Sequence, residues 1–332
     1  LKRIRERKIA EEVALALDDW GRLRRKVQGA KSEKAENLFV LAMDLDPDPA
    51  RKRMREAIAA RDLPVMLELT SPENLPRLEP GSIFVLSAAL WEGFPESQEE
   101  RSADVFRIFE QALALYPGDY ALQAVAGNFY QDSQRFESAL ACRTAALSLR
   151  PGDLATRISV AESRYWLGRL TDALATLRAC IAADPSNPDA NEILGRTQIL
   201  LGDYAGALVS LSRSPGLASN PDMLPDLHAA QFYNGVLTRE EFERHLDNEF
   251  SSFHLAAYLY PLLDHPDPKQ RDPKLVLRLL EERALVLSDS RWPKAAEIVA
   301  RVRLEDWSGA LAVLEGPFKQ PPFPLLTPMC YD

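Results

Sequence analysis

Cysteine, histidine and glycine are scarce in this chain of 332 residues, and each scarcity closes off a class of chemistry. The three cysteines, Cys142, Cys180 and Cys330, have no metal-type spacing, and their odd number fits a reducing, cytoplasmic compartment better than a disulfide framework. Of the four histidines, His228, His245, His254 and His265, the middle two are nine residues apart, on opposite sides of a helix at about 3.6 residues per turn. No metal site is expected from them. The glycines build no phosphate-cradling loop and no nucleophile elbow, so neither an enzyme activity nor a cofactor is expected. No apolar run approaches the ~18 residues of a membrane span, and the basic opening LKRIRERK leads into no signal core. Acids outnumber bases, with a net charge of −9 and no sustained basic face, which argues against nucleic acid as a partner. Leu1 is not an initiator methionine, so the chain is expected to be a piece of something longer.

What the chain has is hydrophobic content, 46%, enough to fold, and a repeat. LYPGDYA at 115–121 returns as LRPGDLA at 149–155, and Pro117, Pro151 and Pro185 keep one 34-residue spacing. Twenty-two residues after each proline stands an alanine followed by leucine: Ala139, Ala173 and Ala207. A large apolar residue precedes each alanine by three: Phe136, Leu170 and Tyr204. Ten residues after the prolines stand Gly127, Ala161 and Gly195. Small residues at those places let two helices approach within roughly 8–10 Å, and the proline ends the unit because it cannot continue a helix. The pattern predicts antiparallel helix pairs.

Elsewhere the same architecture is fainter. Ile9, Val13, Leu17, Trp20, Leu23 and Val27 draw an apolar stripe along a first helix. The prolines of DPDP at 46–49 separate two further helices, since each forces its predecessor out of the helical region. Basic clusters near the start and in RKRMR at 51–55 are expected to be solvated helix faces. LPVMLELT is read as a helix, and 82–92 with 102–116 as a pair. SPGLASNPDMLPD interrupts the repeats; helices are expected at 274–288 and 292–304, and Trp307 and Ala310 restate the rule. The division that follows is 1–64, 65–119, three units in 120–219, and 220–332 with a proline-rich tail.

The period, small-residue places and closing proline resemble the tetratricopeptide repeat. That resemblance implies an all-α, right-handed superhelix of stacked helix pairs with a concave groove. The family's tryptophan at the fourth place is missing, with Gln123, Arg157 and Asn191 there instead. A second resemblance, through ALDDWGRLRRK, DLDPDPARKRMREAIAARD, HPDPKQRDPKLVLRLLEERA and EDWSGALAVLE, is to the helical region following the catalytic domain of large bacterial serine/threonine kinases. It implies a regulatory or docking role, because the kinase motifs themselves are absent from these residues.

In tetratricopeptide units the first helix lines the groove, chiefly through its second, fifth, ninth, twelfth and thirteenth residues. Carried over, the candidates are Asn128, Gln131 and Asp132, then Glu162, Tyr165 and Trp166, then Glu192, Arg196 and Ile199. Tyr165 and Trp166 read as an aromatic hot spot beside acceptors Glu162 and Glu192 and the forked donor Arg196. Some members grip a peptide's terminal carboxylate with lysines and asparagines at the fifth and ninth places; Asn128 stands at a ninth place, but the fifth places do not match. Here Ala124, Ile158 and Glu192 occupy those places, which suits a basic or hydroxyl-bearing protein segment. The rival readings are a structural spacer or oligomerisation module with the groove filled by its own tail, and an enzyme site in the aromatic-rich segment 228–265.

Overall fold

The computed structural model describes residues 9–28, 33–92, 98–214, 224–245, 258–282 and 291–315. Among them the chain is all-α, without strands, and divides into two compact units, Leu1–Gly152 and Asp153–Asp332. The first unit contains α1 (Ala10–Gln28), α2 (Glu33–Leu45), α3 (Pro49–Ala60), α4 (Leu63–Leu69), α5 (Pro80–Glu92), α6 (Gln98–Leu115), α7 (Tyr120–Asp132) and α8 (Phe136–Leu149). The second contains α9 (Leu154–Trp166), α10 (Leu170–Ala183), α11 (Pro188–Leu200), α12 (Tyr204–Ser212), α13 (Leu224–Tyr233), α14 (Arg239–Arg244), α15 (Pro261–Asp264), α16 (Pro273–Glu282), α17 (Arg291–Arg303) and α18 (Trp307–Glu315). Residues 215–223, where the repeat breaks, the stretch 283–290 and the tail 316–332 lie outside the described residues.

The 34-residue register holds to the residue. Tyr120, Leu154 and Pro188 open the first helices of three successive pairs, and Phe136, Leu170 and Tyr204 open the second. The aspartate of the Pro-Gly-Asp turn explains the first start: Asp119 accepts from the Leu122 amide at 2.8 Å, closing one of the donors a helix N-terminus leaves unpaired. Asn187 serves α11 in the same way through the Ala190 amide, at 3.0 Å. The place where the family carries tryptophan has its own local role. Gln123 and Asn191 are buried and donate their amides back to the carbonyls of Pro117 and Pro185, at 3.1 and 3.0 Å.

Helix contact within each pair depends on the small residues. Ala139, Ala161, Ala173 and Ala207 are all fully buried. A Cβ added to Gly195 would come within 2.5 Å of Leu211 Cγ, and one on Gly127 within 2.7 Å of Arg143 Cγ. Both partners stand four residues after the alanine of their unit, so the contact repeats with the register. Each turn between the paired helices also needs one left-handed residue. Gly168 and Gly202 supply it at little cost, whereas Gln134 takes the same position with φ of 58° and Glu305 repeats it before α18 with φ of 59°.

In the first unit α1 and α2 run antiparallel, with Phe39 against Gly21 and Arg25 bonded to Glu36. Here the structure corrects the stripe drawn from spacing. The helix forms, and Val13 and Leu17 of the stripe pack against Ala14, Ala42 and Leu45, but the fully buried line is Ala14, Asp18 and Gly21, while Ile9, Trp20 and Leu23 remain exposed. The cause is the close approach of α2, whose phenyl ring at Phe39 leaves no space for a side chain at residue 21.

The basic run at 51–55 is corrected in part: Lys52 and Arg53 are exposed as expected. Arg51 and Arg55 are not solvated: Arg55 is 1% exposed and donates to Asp18 at 2.9 Å and to Asp46 at 2.9 Å, and Arg51 donates to Asp46 at 2.6 Å. Helices α1 and α3 and the turn after α2 are tied through these two guanidinium groups. Asp46 accepts from both arginines and from the Asp48 amide, which holds its carboxyl below the ordinary range despite burial. Asp18 shares only Arg55, and burial pushes it up to about 6.

Two outcomes follow from this packing. Gln134→Gly should stabilise the chain by about 1 kcal/mol by relieving a left-handed non-glycine residue, read as a raised urea midpoint; Gly202→Ala should lower it. Arg55→Met should cost about 3–5 kcal/mol, because it strands two buried carboxylates. Asp18→Asn should be milder, and its pH profile is diagnostic. The proton on Asp18 favours the folded state below about pH 4, and that contribution is lost as pH rises through about 6. Stability measured across that window should therefore fall less steeply in Asp18→Asn than in the parent.

Candidate peptide-binding surface

The candidate residues fall on α7 in the first unit and on α9 and α11 in the second, and the structure gives them unlike tasks. On α7, Asn128 and Gln131 face Arg143 of α8, which donates to Asn128 Oδ1 and Gln131 Oε1 at 3.2 Å each. The Arg143 stem lies over Gly127, so the glycine that lets the helices close also lets this buried side chain reach across. Asn128 and Asp132 are exposed at the surface of the pair.

In the second unit Tyr165 is 8% exposed, with its ring edge-on to Trp166 at 5.2 Å between centroids. Burial drives its phenol well above the ordinary range, and Arg196 partly offsets the effect. Tyr165 is therefore a packing residue rather than an open platform. Trp166 is half-buried. Arg196 is also committed: its guanidinium bonds Glu192 one turn back at 2.7 Å and Asp226 of α13 at 2.7 Å. Ile199 joins a small core with Ala207, Leu211 and Ala230. The forked donor read from the sequence is engaged within its own unit, and Ile199 packs inward, because α13 approaches α11 closely enough to use both.

Asp226 was missing from the sequence-based set. Its signal was the register itself, since Asp226 stands 34 residues after Glu192, at the same fifth place in the following unit, beyond the point where the pattern breaks. Its inclusion changes the electrostatics. Burial raises the Glu192 carboxyl; Arg196 opposes this, and Asp226, Asp189 and Glu162 raise it further. Asp226, Asp189 and Glu162 thus act together on Glu192 against the Arg196 guanidinium. Such a surface attracts cations, and does so more strongly where half-burial lowers the local dielectric.

The histidines take positions that spacing did not anticipate. His228 and His245 stack at 3.7 Å between centroids, and His228 Nδ1 lies 2.7 Å from the Tyr258 hydroxyl. Burial and the neighbouring imidazole push His228 down to about 4. His265 is buried, with Nδ1 accepting from the Asp267 amide at 3.0 Å. His254 and Cys330 lie outside the described residues. Cys142 and Cys180 are buried, and desolvation raises both thiols, Cys142 to about 11. Among the described residues no helix is long and apolar enough to cross a membrane, and no group of three or more His, Cys, Asp or Glu is arranged to hold a metal.

The Arg196 bridge makes a separable prediction. Arg196→Met should cost about 3 kcal/mol by leaving Glu192 and Asp226 without their cation, whereas Trp166→Ala should change the thermal midpoint far less. Thermal unfolding of the two variants side by side distinguishes a structural arginine from a surface one.

No protein-family model matches the chain, and no characterised protein matches it in sequence. Among solved structures, one described as the TPR domain of P58(IPK) is similar at 13% identity over 95% of this chain and 96% of that one, with a TM-score of 0.35. A likeness of that size places no individual residue. The helix-pair architecture rests instead on the 34-residue register of the chain itself.

Proposed function

We propose that this chain is a non-catalytic protein-interaction scaffold whose second unit receives a basic segment of a partner protein. One observation carries the reading: Glu192 and Asp226 share the guanidinium of Arg196, and Asp189 and Glu162 add their negative fields at Glu192. A partner lysine or arginine would be drawn to this acidic field, and the half-buried Trp166 indole would offer it an apolar or cation–π neighbour. Helix pairs suit this role because a stacked array presents successive first helices as one preformed surface, which lowers the ordering cost of binding.

In this reading the chain works as the regulatory or docking region of a larger protein, with a bacterial serine/threonine kinase as the parent suggested by the sequence runs quoted above. Buried, reduced cysteines accord with a cytoplasmic setting.

The test uses the whole chain and two peptide sets of equal length, one rich in lysine and arginine, the other in aspartate and glutamate. Basic peptides should bind, with affinity falling as salt rises. Asp189→Lys combined with Glu162→Gln should weaken them about tenfold or more while the circular dichroism spectrum stays unchanged. Equal binding of the two sets, or indifference to the double substitution, would refute the proposal.

A further inference from the structure

We propose that the proline-rich run 316–332 turns back along α18 and covers the apolar line of Trp307, Leu311 and Leu314. The argument for an open face comes from the same places in an earlier pair. Trp307 and Tyr204 each precede by three the alanine of their pair, Ala310 and Ala207, so Leu311 and Leu314 stand where α12 has Leu208 and Leu211. On α12 that line is covered by α13. Tyr204 stacks on Tyr233 at 4.0 Å between centroids, Leu208 packs on the core of Ala207, Leu211 and Ala230, and Leu211 is fully buried. On α18 the same three places are open: Trp307 is 61% exposed, Leu311 55% and Leu314 45%. At steps of four and three they form one stripe, on the side that α13 takes on α12.

The residues that follow α18 select the occupant. Gly316 and Pro317 stand just past Glu315, a pair that ends a helix and turns the chain. Beyond them come Phe318, Phe323, Leu325, Leu326 and Met329, with only Lys319 and Asp332 charged, so the run gains by leaving water. Its five prolines bar another first helix and favour a polyproline II chain, whose restricted backbone loses little entropy on docking. Such a chain advances about 3.1 Å per residue, so 316–332 reaches ~50 Å. The nine residues of α18 span only ~14 Å, which leaves enough chain for the turn and for a full return along the helix. Proline-rich chains bind aromatic-lined surfaces, and Trp307 supplies the aromatic ring. A segment tethered directly to the helix it covers is present at an effective concentration on the order of millimolar. A second copy or a separate partner has no such advantage.

Two measurements on the full chain test this contact. With Phe323→p-benzoylphenylalanine, illumination should link residue 323 to α18 within one chain, as mapped by mass spectrometry of the digested product. Leu311→Asp, at an exposed position, should reduce that link about tenfold or more while helical circular dichroism stays unchanged. The second measurement keeps Phe323 intact: tryptic cleavage after Lys319 should run about tenfold faster in Leu311→Asp than in the parent chain, because the docked run must open before it is cut. Links to α9 or α11 would put the run in the groove and overturn the proposal. Links between two chains would assign the face to a second copy and overturn it as well. So would the lack of any defined link, or a cleavage rate indifferent to Leu311→Asp.

Discussion

The closeness of paired helices is the constraint on which the other features of this chain depend. Where Gly127, Ala161 and Gly195 face the second helix of their own pair, the contact leaves no room for a larger side chain, and Ala139, Ala173 and Ala207 complete it. Once the helices are that close, the turn between them has to be short. A short turn requires a left-handed residue, and the chain places one at the same register whether or not a glycine is available. The caps follow as well. Asp119 and Asn187 start their helices within a few residues of the proline that ends the preceding unit, because no longer connection fits the period.

Close packing of helices that follow one another leaves a second problem, which is to hold each pair against the next. Both units answer it with an arginine between two carboxylates drawn from different segments. Arg55 of α3 bridges Asp18 of α1 and Asp46 after α2. Arg196 of α11 bridges Glu192 of its own helix and Asp226 of α13. Buried ion pairs add little net stability compared with well-packed apolar groups, but a wrong register would leave a charge unpaired at a cost of several kcal/mol. These bridges therefore specify which helices meet. At the second, Asp189 and Glu162 add their fields to that of the bridged Glu192, which is why the proposed docking surface is set there.

How much of this was legible beforehand depended on the kind of signal. The three central pairs were readable because their spacing is set by backbone geometry, which acts locally and repeats. The helix at LPVMLELT and the break at DPDP were readable for the same reason, from caps and prolines. The buried side of α1 was not, because an apolar stripe reveals amphipathic character without saying which side a neighbour will cover. Gly21 and Asp18 are covered by Phe39 and Arg55, which come from other helices. Tyr165 and Arg196 lie on first helices, but the commitment of Arg196 to an internal bridge depended on Asp226 of α13, a helix beyond the recognisable repeat.

By itself, then, the sequence determined the helix-pair period, the capped and kinked ends of each unit, and the side chains each first helix carries, since all of these are set within about one repeat length of chain. Only tertiary structure decided which side chains are spent on holding the units together. That choice is made by burial and by charge pairing between residues thirty or more positions apart, as with Asp18 and Arg55 or Arg196 and Asp226. What remains at the surface after that accounting includes Asp189, the exposed acid nearest in sequence to the Arg196 bridge.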